Sequence, residues 1–207
     1  MDRNEVVCLV AAAGRGLRFD RETPKSFHLF EGRSLLARTV EALSACARID
    51  RFVVMVPPGW EEKAIAELPS DGPGARITVV TGGETRQESV QIGLENAGDA
   101  EIVLIHDAAR PFVSSTLIER VIAAARETGA AVPALLATDT LGRLRGEELE
   151  AIVPRDRVVG VQTPQGFRTG ILKRAYEASS ELISESTDES SLVLAANMPV
   201  KVVDGER

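Results

Sequence analysis

Four cationic side chains lie close together near the start of the chain. They are Arg15, Arg18, Arg21 and Lys25, and the apolar run Leu9–Ala13 precedes them. An apolar run that gives way to a glycine-bearing loop is typical of a buried strand whose following backbone lies against phosphate groups. Fixed positive charge in such a loop would neutralise polyphosphate. The segment therefore indicates nucleotide chemistry.

This loop departs from the two common phosphate-binding patterns. It lacks the Gly-Lys-Ser/Thr of the P-loop, and Phe19 stands where Gly-x-Gly-x-x-Gly requires its third glycine. We therefore expect neither a P-loop NTPase nor a nicotinamide-dependent dehydrogenase. Residues 14–25 contain four cations and two anions, and this local excess of positive charge suits a small anionic ligand.

The composition is that of a globular protein and excludes two classes of partner. The 207 residues suit one domain over 1–207, with 44% hydrophobic and 27% charged residues. A formal net charge of -7 gives no basic excess for binding nucleic acid. No apolar run approaches the roughly 20 residues that span a bilayer. We expect neither nucleic acid nor membrane as a partner.

The compartment is expected to be the cytoplasm. Charged Asp2, Arg3 and Glu5 precede an apolar stretch too short for the core of a signal peptide. Cys8 stands within the first apolar run and Cys46 within a helical pattern. Two such cysteines are expected to be buried free thiols rather than a disulfide.

Apolar runs alternate with helical patterns along the first two thirds of the chain. The predicted strands are Val6–Val10, Phe52–Val56, Ile77–Val80, Ile102–Ile105 and Ala131–Leu136. The predicted helices between them are Ser34–Ala47, Trp60–Leu68, Arg86–Asn96 and Ser114–Thr128. This alternation predicts a Rossmann-like α/β fold, a mostly parallel sheet with helices on both faces. Ligands of such sheets bind beyond the carboxyl ends of the strands.

The sequence changes character after Leu136, becoming polar and charged at about 138–157. Residues 141–146 and 151–154 are expected to form the two strands of a projecting β-arm. Because a two-stranded arm cannot bury its apolar side alone, we expect a homodimer through it. The further predicted elements are the strand Val158–Val161, the helices Thr169–Ala178 and Thr187–Ala196, and the strand Val200–Val203.

Asp107 directly follows an apolar strand and is a candidate ligand for Mg²⁺, which prefers oxygen donors and brings phosphate with it. The alternative is an Asp that caps the next turn, with Arg110 as its ion-pair partner. The cationic loop and a glycine turn predicted at the same sheet edge favour the metal. His106 is expected to be structural, because His28 is the only other histidine and no zinc cluster is present.

Three further polar segments follow predicted strands or begin predicted helices. In Gly82-Gly83-Glu84-Thr85-Arg86, the glycines would free the backbone conformation and let a planar base approach the main chain; the alternative is a turn without a ligand. Thr163-Pro164-Gln165 and Thr187-Asp188-Glu189 are short polar clusters. Thr187 is expected to be a helix N-cap, with a second anion site as the alternative.

Five motifs occur along the chain in one order. They are Ala11-Ala12-Ala13-Gly14-x-Gly-x-Arg18 with Pro24-Lys25, Gly82-Gly83-Glu84-x-Arg86-x-x-Ser89, His106-Asp107-Ala108-Ala109-Arg110-Pro111, Thr163-Pro164-Gln165 and Thr187-Asp188-Glu189. Together they resemble the 2-C-methyl-D-erythritol 4-phosphate cytidylyltransferases of the non-mevalonate isoprenoid pathway. The ribitol-5-phosphate cytidylyltransferases are the nearest alternative, and the spelling Ala108-Ala109-Arg110 favours the first family.

The resemblance implies a single nucleotidyltransferase domain that transfers CMP from CTP to the methylerythritol phosphate, with Mg²⁺ as cofactor and pyrophosphate as the second product. It implies that Arg18 and Lys25 stabilise charge on the α-phosphate and that Asp107 lies beside the metal. CTP would contact Ala12, Ala13, Gly14, Gly83, Glu84, Arg86, Ser89 and Ala108. The sugar phosphate would contact Asp107, Thr140, Arg155, Thr163 and Thr187, with Arg155 reaching from the arm into the other subunit of a homodimer.

Two other functions remain open at this point. One is the same chemistry on ribitol 5-phosphate or another sugar phosphate. The other is a non-catalytic nucleotide-binding module. The second alternative arises because the family's Asn-x-Lys-x-Thr, whose lysine positions the acceptor phosphate, has no counterpart between Lys201 and Arg207.

Overall fold

The computed structural model describes residues 4–14, 23–69, 76–178 and 186–207, in which strands and helices alternate. The strands are β1 (Val6–Ala11), β2 (Leu29–Phe30), β3 (Arg33–Ser34), β4 (Arg51–Val56), β5 (Arg76–Thr81), β6 (Ile102–Asp107), β7 (Ala130–Leu136), β8 (Leu141–Arg145), β9 (Glu148–Val153), β10 (Val159–Val161), β11 (Gln165–Arg168) and β12 (Lys201–Asp204). The helices are α1 (Leu35–Ser44), α2 (Glu61–Glu67), α3 (Arg86–Ala97), α4 (Ser115–Thr128), α5 (Thr169–Ala178) and α6 (Glu189–Ala195). Short 3-10 helices lie at Lys25–Phe27 and Arg155–Arg157.

One large sheet contains eight of the described strands, in the order β10-β7-β11-β6-β1-β4-β5, with β12 also paired to β7. Strand β1 is parallel to β4 and β6, β4 is parallel to β5, and β12 is parallel to β7. Strand β11 runs antiparallel to both β6 and β7, and β10 runs antiparallel to β7. The predicted Rossmann-like, mostly parallel sheet is confirmed.

Helices cover both faces of this sheet because the central strands are apolar on both sides. On one face Cys8 and Val10 of β1 share a buried cluster with residues of α1, α2 and α4. On the other face Val7 and Leu9 share a cluster with residues of α3, α5 and α6. Strands buried on both sides require continuous rather than alternating apolar residues, and this is the pattern from which they were predicted.

Strand β11 is absent from the predicted elements, which treat Thr163-Pro164-Gln165 as a polar cluster only. Its four residues include one large apolar side chain, Phe167, which is fully buried. Because Gln165 and Gly166 carry little strand propensity, tertiary pairing decides the conformation. Gln165 pairs with Ile105 and Phe167 with Val103 of β6.

Two predicted helix boundaries differ from the structure by more than one residue. Helix α1 ends at Ser44 rather than Ala47, because the next amides make tighter bonds to carbonyls three residues back, as from Cys46 to Leu43. Helix α6 begins at Glu189 with Asp188, not Thr187, as its N-cap. The Asp188 carboxylate accepts a hydrogen bond from the Ser191 amide at 3.0 Å, which satisfies a free donor of the first turn.

The predicted arm is a two-stranded antiparallel sheet formed by β8 and β9. Gly146 lies in the connecting turn with a φ of 62°, a conformation that favours glycine. Leu144, Leu149 and Ile152 are exposed along the arm, at 65%, 61% and 58% of their surface. The arm therefore presents apolar side chains to solvent. No helix in the described ranges is long and apolar enough to span a membrane.

Helix α4 packs against β11 at the one point where that strand has no side chain. A Cβ on Gly166 would lie 2.7 Å from Cγ1 of Val121, 3.2 Å from Cβ of Ala125 and 3.3 Å from Cδ2 of Leu104. These contacts are shorter than van der Waals packing allows, so the close approach of helix and sheet requires glycine here.

We expect Gly166→Ala to lower the free energy of unfolding by about 1–3 kcal/mol, because overpacking a buried site forces α4 away from the sheet. Urea denaturation measures this change. Gly160→Ala in β10 is the matched control, since a Cβ there meets nothing closer than 4.0 Å. Equal stability of the two variants would contradict the packing argument.

Candidate active site

The predicted loops meet at one edge of the sheet, as their positions after parallel strands require. Ala11, the last residue of β1, pairs with Asp107, the last residue of β6. The Ala108 amide donates to the Ala11 carbonyl oxygen at 3.1 Å, and the Gly82 amide donates to the carbonyl oxygen of Val56 at the end of β4 at 2.7 Å. This edge is called the rim below.

Lys25 extends from a short helical turn that is fixed to the rim. The hydroxyl of Ser26 donates to the carbonyl oxygen of Ala12 at 3.0 Å, in a buried position. Phe27 is buried, and its ring centroid lies 4.6 Å from that of Trp60. The backbone of the turn is therefore anchored while the Lys25 side chain is exposed.

The other cations of this loop, Arg15, Arg18 and Arg21, fall in residues 15–22, outside the described residues. The catalytic role expected of Arg18 therefore stays a prediction. Gly14, the last described residue before that gap, is exposed, whereas Ala12 and Ala13 are buried at the end of β1.

The glycine turn is required by space rather than by backbone conformation. Neither Gly82 nor Gly83 has a positive φ, which corrects the expectation drawn from the sequence. A Cβ on Gly82 would lie 2.4 Å from the Cβ of Ala13, and one on Gly83 would lie 2.4 Å from the Cβ of Glu88. Two loops of the rim thus touch at Gly82.

The Ser89 side chain is hydrogen-bonded to the main chain of this turn. Its hydroxyl accepts a hydrogen bond from the Gly83 amide at 3.0 Å and donates to the Thr85 carbonyl oxygen at 2.8 Å. Thr85 and Glu88 form a capping box at the start of α3, which satisfies two amides reciprocally. The turn is therefore rigidly attached to the helix that carries Arg86.

Asp107 lies between two guanidinium groups at the rim. Nε of Arg86 is 3.4 Å from its Oδ1, and Nε of Arg110 is 3.1 Å from its Oδ2. The ion pair with Arg110 that the sequence offered as an alternative is therefore present. The Asp107 side chain keeps 31% of its surface exposed, so it remains open to a ligand.

A buried carboxylate, Glu189, is the partner of Arg86 that the sequence does not predict. Nη1 of Arg86 lies 2.7 and 2.8 Å from the two carboxylate oxygens, and the Glu189 side chain is fully buried. Burial raises the pKa of this carboxyl, and the Arg86 charge opposes the shift. An acidic residue in the first turn of a helix is usually explained by the helix dipole, and nothing in the spacing of Glu189 points to Arg86.

The residues expected to contact the acceptor divide into two groups. Thr163 is buried just before β11, and its Oγ1 has no hydrogen-bond partner among the described residues. Gln165 donates to Asp188 at 2.8 Å, which ties the start of β11 to the segment holding exposed Thr187. Strand β11 pairs with β6, which ends at Asp107, and the segment of Thr187 is joined to that strand through Gln165.

Thr140 and Arg155 form the second group and lie on the arm. Thr140 precedes β8, and Arg155 follows β9 and donates to the carbonyl oxygen of Thr138. Within the described ranges, no hydrogen bond or ion pair joins either residue to Asp107 or Thr163. Among the described residues, the two groups are therefore not joined by a direct bond.

Among the described residues, the rim offers a metal the Asp107 carboxylate rather than a cage of protein ligands. No group of three or more His, Cys, Asp and Glu side chains in the described ranges could hold a metal ion. Mg²⁺ is commonly held by one or two carboxylates together with substrate phosphates and water. Asp107 fits an ion that a triphosphate shares, and does not fit a site made by protein alone.

His106 supports the rim from inside the core. It is buried, and its Nε2 lies 3.0 Å from the Arg110 carbonyl oxygen. Burial lowers its pKa to about 4, so the ring is neutral at pH 7 and Nε2 donates to that carbonyl. A buried, neutral histidine bonded to the main chain agrees with the structural role expected of His106.

Comparisons with known proteins identify the relatives of this chain. The family model described as "IspD: 2-C-methyl-D-erythritol 4-phosphate cytidylyltransferase" matches residues 6–207. The 2-C-methyl-D-erythritol 4-phosphate cytidylyltransferase of Thermus thermophilus is 44% identical over 202 residues, which cover 98% of this chain and 88% of the relative. A crystal structure of the enzyme from that organism has a TM-score of 0.78 and 42% identity and covers 98% of this chain and 89% of its own.

A second kind of relative is longer than this chain. The bifunctional enzyme IspD/IspF of Anaeromyxobacter dehalogenans is 44% identical over 205 residues, covering 97% of this chain but 52% of the relative. The chain thus spans about half the length of the bifunctional relatives that it matches.

The buried state of His106 predicts how stability depends on pH. Since its pKa falls from 6.5 unfolded to about 4 folded, the unfolded chain takes up the proton first as the pH falls. Stability is therefore complete above pH 6.5 and is lost between pH 6.5 and 4. Between pH 7 and 5 we expect a loss of about 2 kcal/mol from this group.

Urea unfolding of the wild type and of His106→Gln at both pH values measures the effect. The variant starts from a lower stability but should lose less between pH 7 and 5. An identical loss in both proteins would show that His106 does not titrate as its burial requires.

Proposed function

Because the chain belongs to the 2-C-methyl-D-erythritol 4-phosphate cytidylyltransferase family, we propose that it transfers CMP from CTP to that sugar phosphate. The products are 4-diphosphocytidyl-2-C-methyl-D-erythritol and pyrophosphate, in isoprenoid precursor biosynthesis. The observation that carries the proposal is the meeting of the Lys25 turn, the glycine turn and Asp107 at one rim. Each is a feature that a triphosphate site requires.

The chemistry needs electrostatic help more than a general base. A phosphate monoester has a second pKa near about 6, so at pH 7 the acceptor is already a deprotonated nucleophile. Its oxygen forms a bond to the α-phosphorus of CTP, and the bond from that phosphorus to the bridging oxygen breaks and releases pyrophosphate. The barrier is the repulsion between anions and the charge that builds on the phosphates.

Fixed cations address this barrier directly. Lys25 is exposed on an anchored turn, so its ammonium would be held near the α-phosphate, with Arg18 as its proposed partner. Mg²⁺, when bound, would supply further positive charge to the triphosphate and would be held by Asp107. Arg86 and Arg110 keep the Asp107 carboxylate in place.

The nucleotide and acceptor pockets follow from the same arrangement. We propose that the base and ribose of CTP lie along the main chain at the ends of β1, β5 and β6. The residues concerned are Ala12, Ala13, Gly14, Gly83, Glu84, Arg86, Ser89 and Ala108. Ser89 would act chiefly by shaping the turn, because its hydroxyl is already bonded to the main chain. Thr163, just before β11, and Thr187, just before α6, would line the acceptor pocket.

We also propose a homodimer formed through the arm. The arm exposes Leu144, Leu149 and Ile152, and a lone two-stranded sheet is at best marginally stable in water. In a symmetric dimer, Thr140 and Arg155 of each subunit would reach the acceptor pocket of the other. This would account for the lack of a direct bond from either residue to Asp107 among the described residues.

The cytoplasm is the proposed place of action. Both cysteines, Cys8 and Cys46, are free and buried, as is usual in a reducing compartment. Burial raises the pKa of the Cys8 thiol, so this side chain behaves as an apolar core residue.

The direct test of the proposed function is pyrophosphate release from CTP and Mg²⁺ with two acceptors assayed side by side. We expect release with 2-C-methyl-D-erythritol 4-phosphate and much less with ribitol 5-phosphate. A preference for ribitol 5-phosphate would show that the protein is instead a cytidylyltransferase for that sugar phosphate. Calorimetric CTP binding without product from either acceptor would indicate a non-catalytic module.

Lys25→Ala should lower turnover by about 10²–10³, the range for one preorganised electrostatic donor, with a smaller effect on the KM for CTP. Steady-state kinetics measures both values. Lys173→Ala is the control, because Lys173 is a half-buried lysine of α5 whose ammonium lies near the Gly98 carbonyl oxygen, away from the rim. Near-normal turnover in Lys25→Ala would remove the catalytic assignment.

The double variant Leu144→Asp with Leu149→Asp should convert the proposed dimer into a monomer of 22.2 kDa. Charged side chains at these two positions would oppose burial of the arm in the dimer interface. Sedimentation velocity measures the mass. Ile65→Asp is the control, since Ile65 of α2 is equally exposed, at 62%, but lies outside the arm. A wild type that sediments as a monomer would contradict the proposed assembly.

A further inference from the structure

Glu189 is not among the residues expected to bind a substrate. Its carboxylate is fully buried, however, and contacts Arg86, which is expected to bind CTP. It stands in the first turn of α6 and is separated from Arg86 by 103 positions in the chain. We infer that Glu189 is a positioning residue, which holds the Arg86 guanidinium in the orientation that binds CTP. This inference rests on the proposed nucleotide site.

The guanidinium of Arg86 is held at two of its three nitrogens. Nη1 donates to both carboxylate oxygens of Glu189, at 2.7 and 2.8 Å, and Nε lies 3.4 Å from Oδ1 of Asp107. In the described part of the chain, Nη2 donates to no residue. The side chain keeps 25% of its surface exposed. The Arg86 guanidinium is therefore fixed on one side, and its Nη2 remains as a donor for a ligand at the rim.

Stability alone does not explain this buried pair. Removing two charges from water is costly, and replacing a buried ion pair by apolar residues is often neutral or stabilising. What such a pair supplies is a fixed direction, since the guanidinium is rigid and its donors lie in one plane. Glu189 itself is wholly enclosed, so its effect on a ligand must pass through Arg86.

A competing explanation is that Glu189 only ties α6 to α3. One bond independent of Glu189 already joins α3 to the segment before α6, from the Gln87 side chain to Ser186, and Tyr176 of α5 contacts both helices. The Tyr176 hydroxyl lies 3.3 Å from the Gln87 carbonyl oxygen and 3.4 Å from Oε1 of Glu189, and the Gln87 side chain donates to the carbonyl oxygen of Ser186. Both explanations act through Arg86, which is itself a residue of α3. They differ in the quantity affected: a positioning role weakens CTP binding more than it lowers the melting temperature, whereas a tie between helices lowers the melting temperature first.

A double-mutant cycle on Glu189 and Arg86, with the melting temperature of each protein recorded beside its CTP affinity, tests the positioning role. Calorimetry would measure the Kd of CTP with Mg²⁺ for the wild type, Glu189→Gln, Arg86→Ala and the double variant. We expect Glu189→Gln to weaken CTP binding about tenfold or more, the size expected for hydrogen bonds to charged groups. In the Arg86→Ala background the same change should have no further effect. The KM of the acceptor should change much less.

Glu101→Gln is the matched control. Glu101 also pairs with an arginine, Arg126, at 2.9 Å, but it precedes β6 at the opposite end of the strand from Asp107. The variant Glu101→Gln should lower the melting temperature and leave the Kd of CTP unchanged. Tyr176→Phe, which loosens the helices without altering charge, should likewise affect melting more than binding.

Two results would overturn the inference: wild-type CTP affinity in Glu189→Gln, or an equal loss of affinity with and without Arg86. Should the amide variant fail to fold, Glu189→Asp keeps the charge and shortens the reach. It should still weaken CTP binding several-fold, and wild-type affinity there would also overturn the inference. CTP binding without transfer would reject the proposed function and leave this cycle intact, whereas a wild type that binds no CTP would reject both.

Discussion

The parallel pairing of β1 with β6 is the contact on which the site depends. It sets Ala11 beside Asp107, and the next residues of each strand continue the contact through the bond from the Ala108 amide to Ala11. Because both strands end at the same level, the turn that carries Lys25 and the carboxylate that would share Mg²⁺ leave the sheet side by side. The helices on both faces fix this register by burying both sides of each strand.

The charges at the rim alternate rather than accumulate. Arg110, Asp107, Arg86 and Glu189 form a chain of two cations and two anions in contact, so this group carries no net charge. In the proposed site, the positive excess that a triphosphate needs would come instead from residues 14–25, which contain four cations and two anions. The proposal thus assigns two tasks to two parts of the site: the alternating charges would orient hydrogen-bond donors, and Lys25 with its loop would supply the positive field.

The sequence predicts what depends on local pattern and misses what depends on distant contacts. Continuous apolar runs revealed the central strands, and their parallel order placed Asp107 and the glycine turn at one edge. Strand β11 escaped prediction because Gln165 and Gly166 become a strand only when β6 and β7 lie on either side. Glu189 escaped because its partner is remote in the chain. The sequence indicates that Gly82 is needed for its backbone freedom, whereas the structure requires glycine there because Ala13 occupies the space of a side chain.

A crystal structure with CTP and Mg²⁺ bound is the most direct test of the central claim, that fixed cations at the rim receive the triphosphate. The account predicts the α-phosphate within contact of the Lys25 ammonium, with Mg²⁺ between the phosphates and Asp107 and the cytosine against the turn at Gly83. A triphosphate bound elsewhere, with Lys25 and Asp107 free of it, would contradict the account.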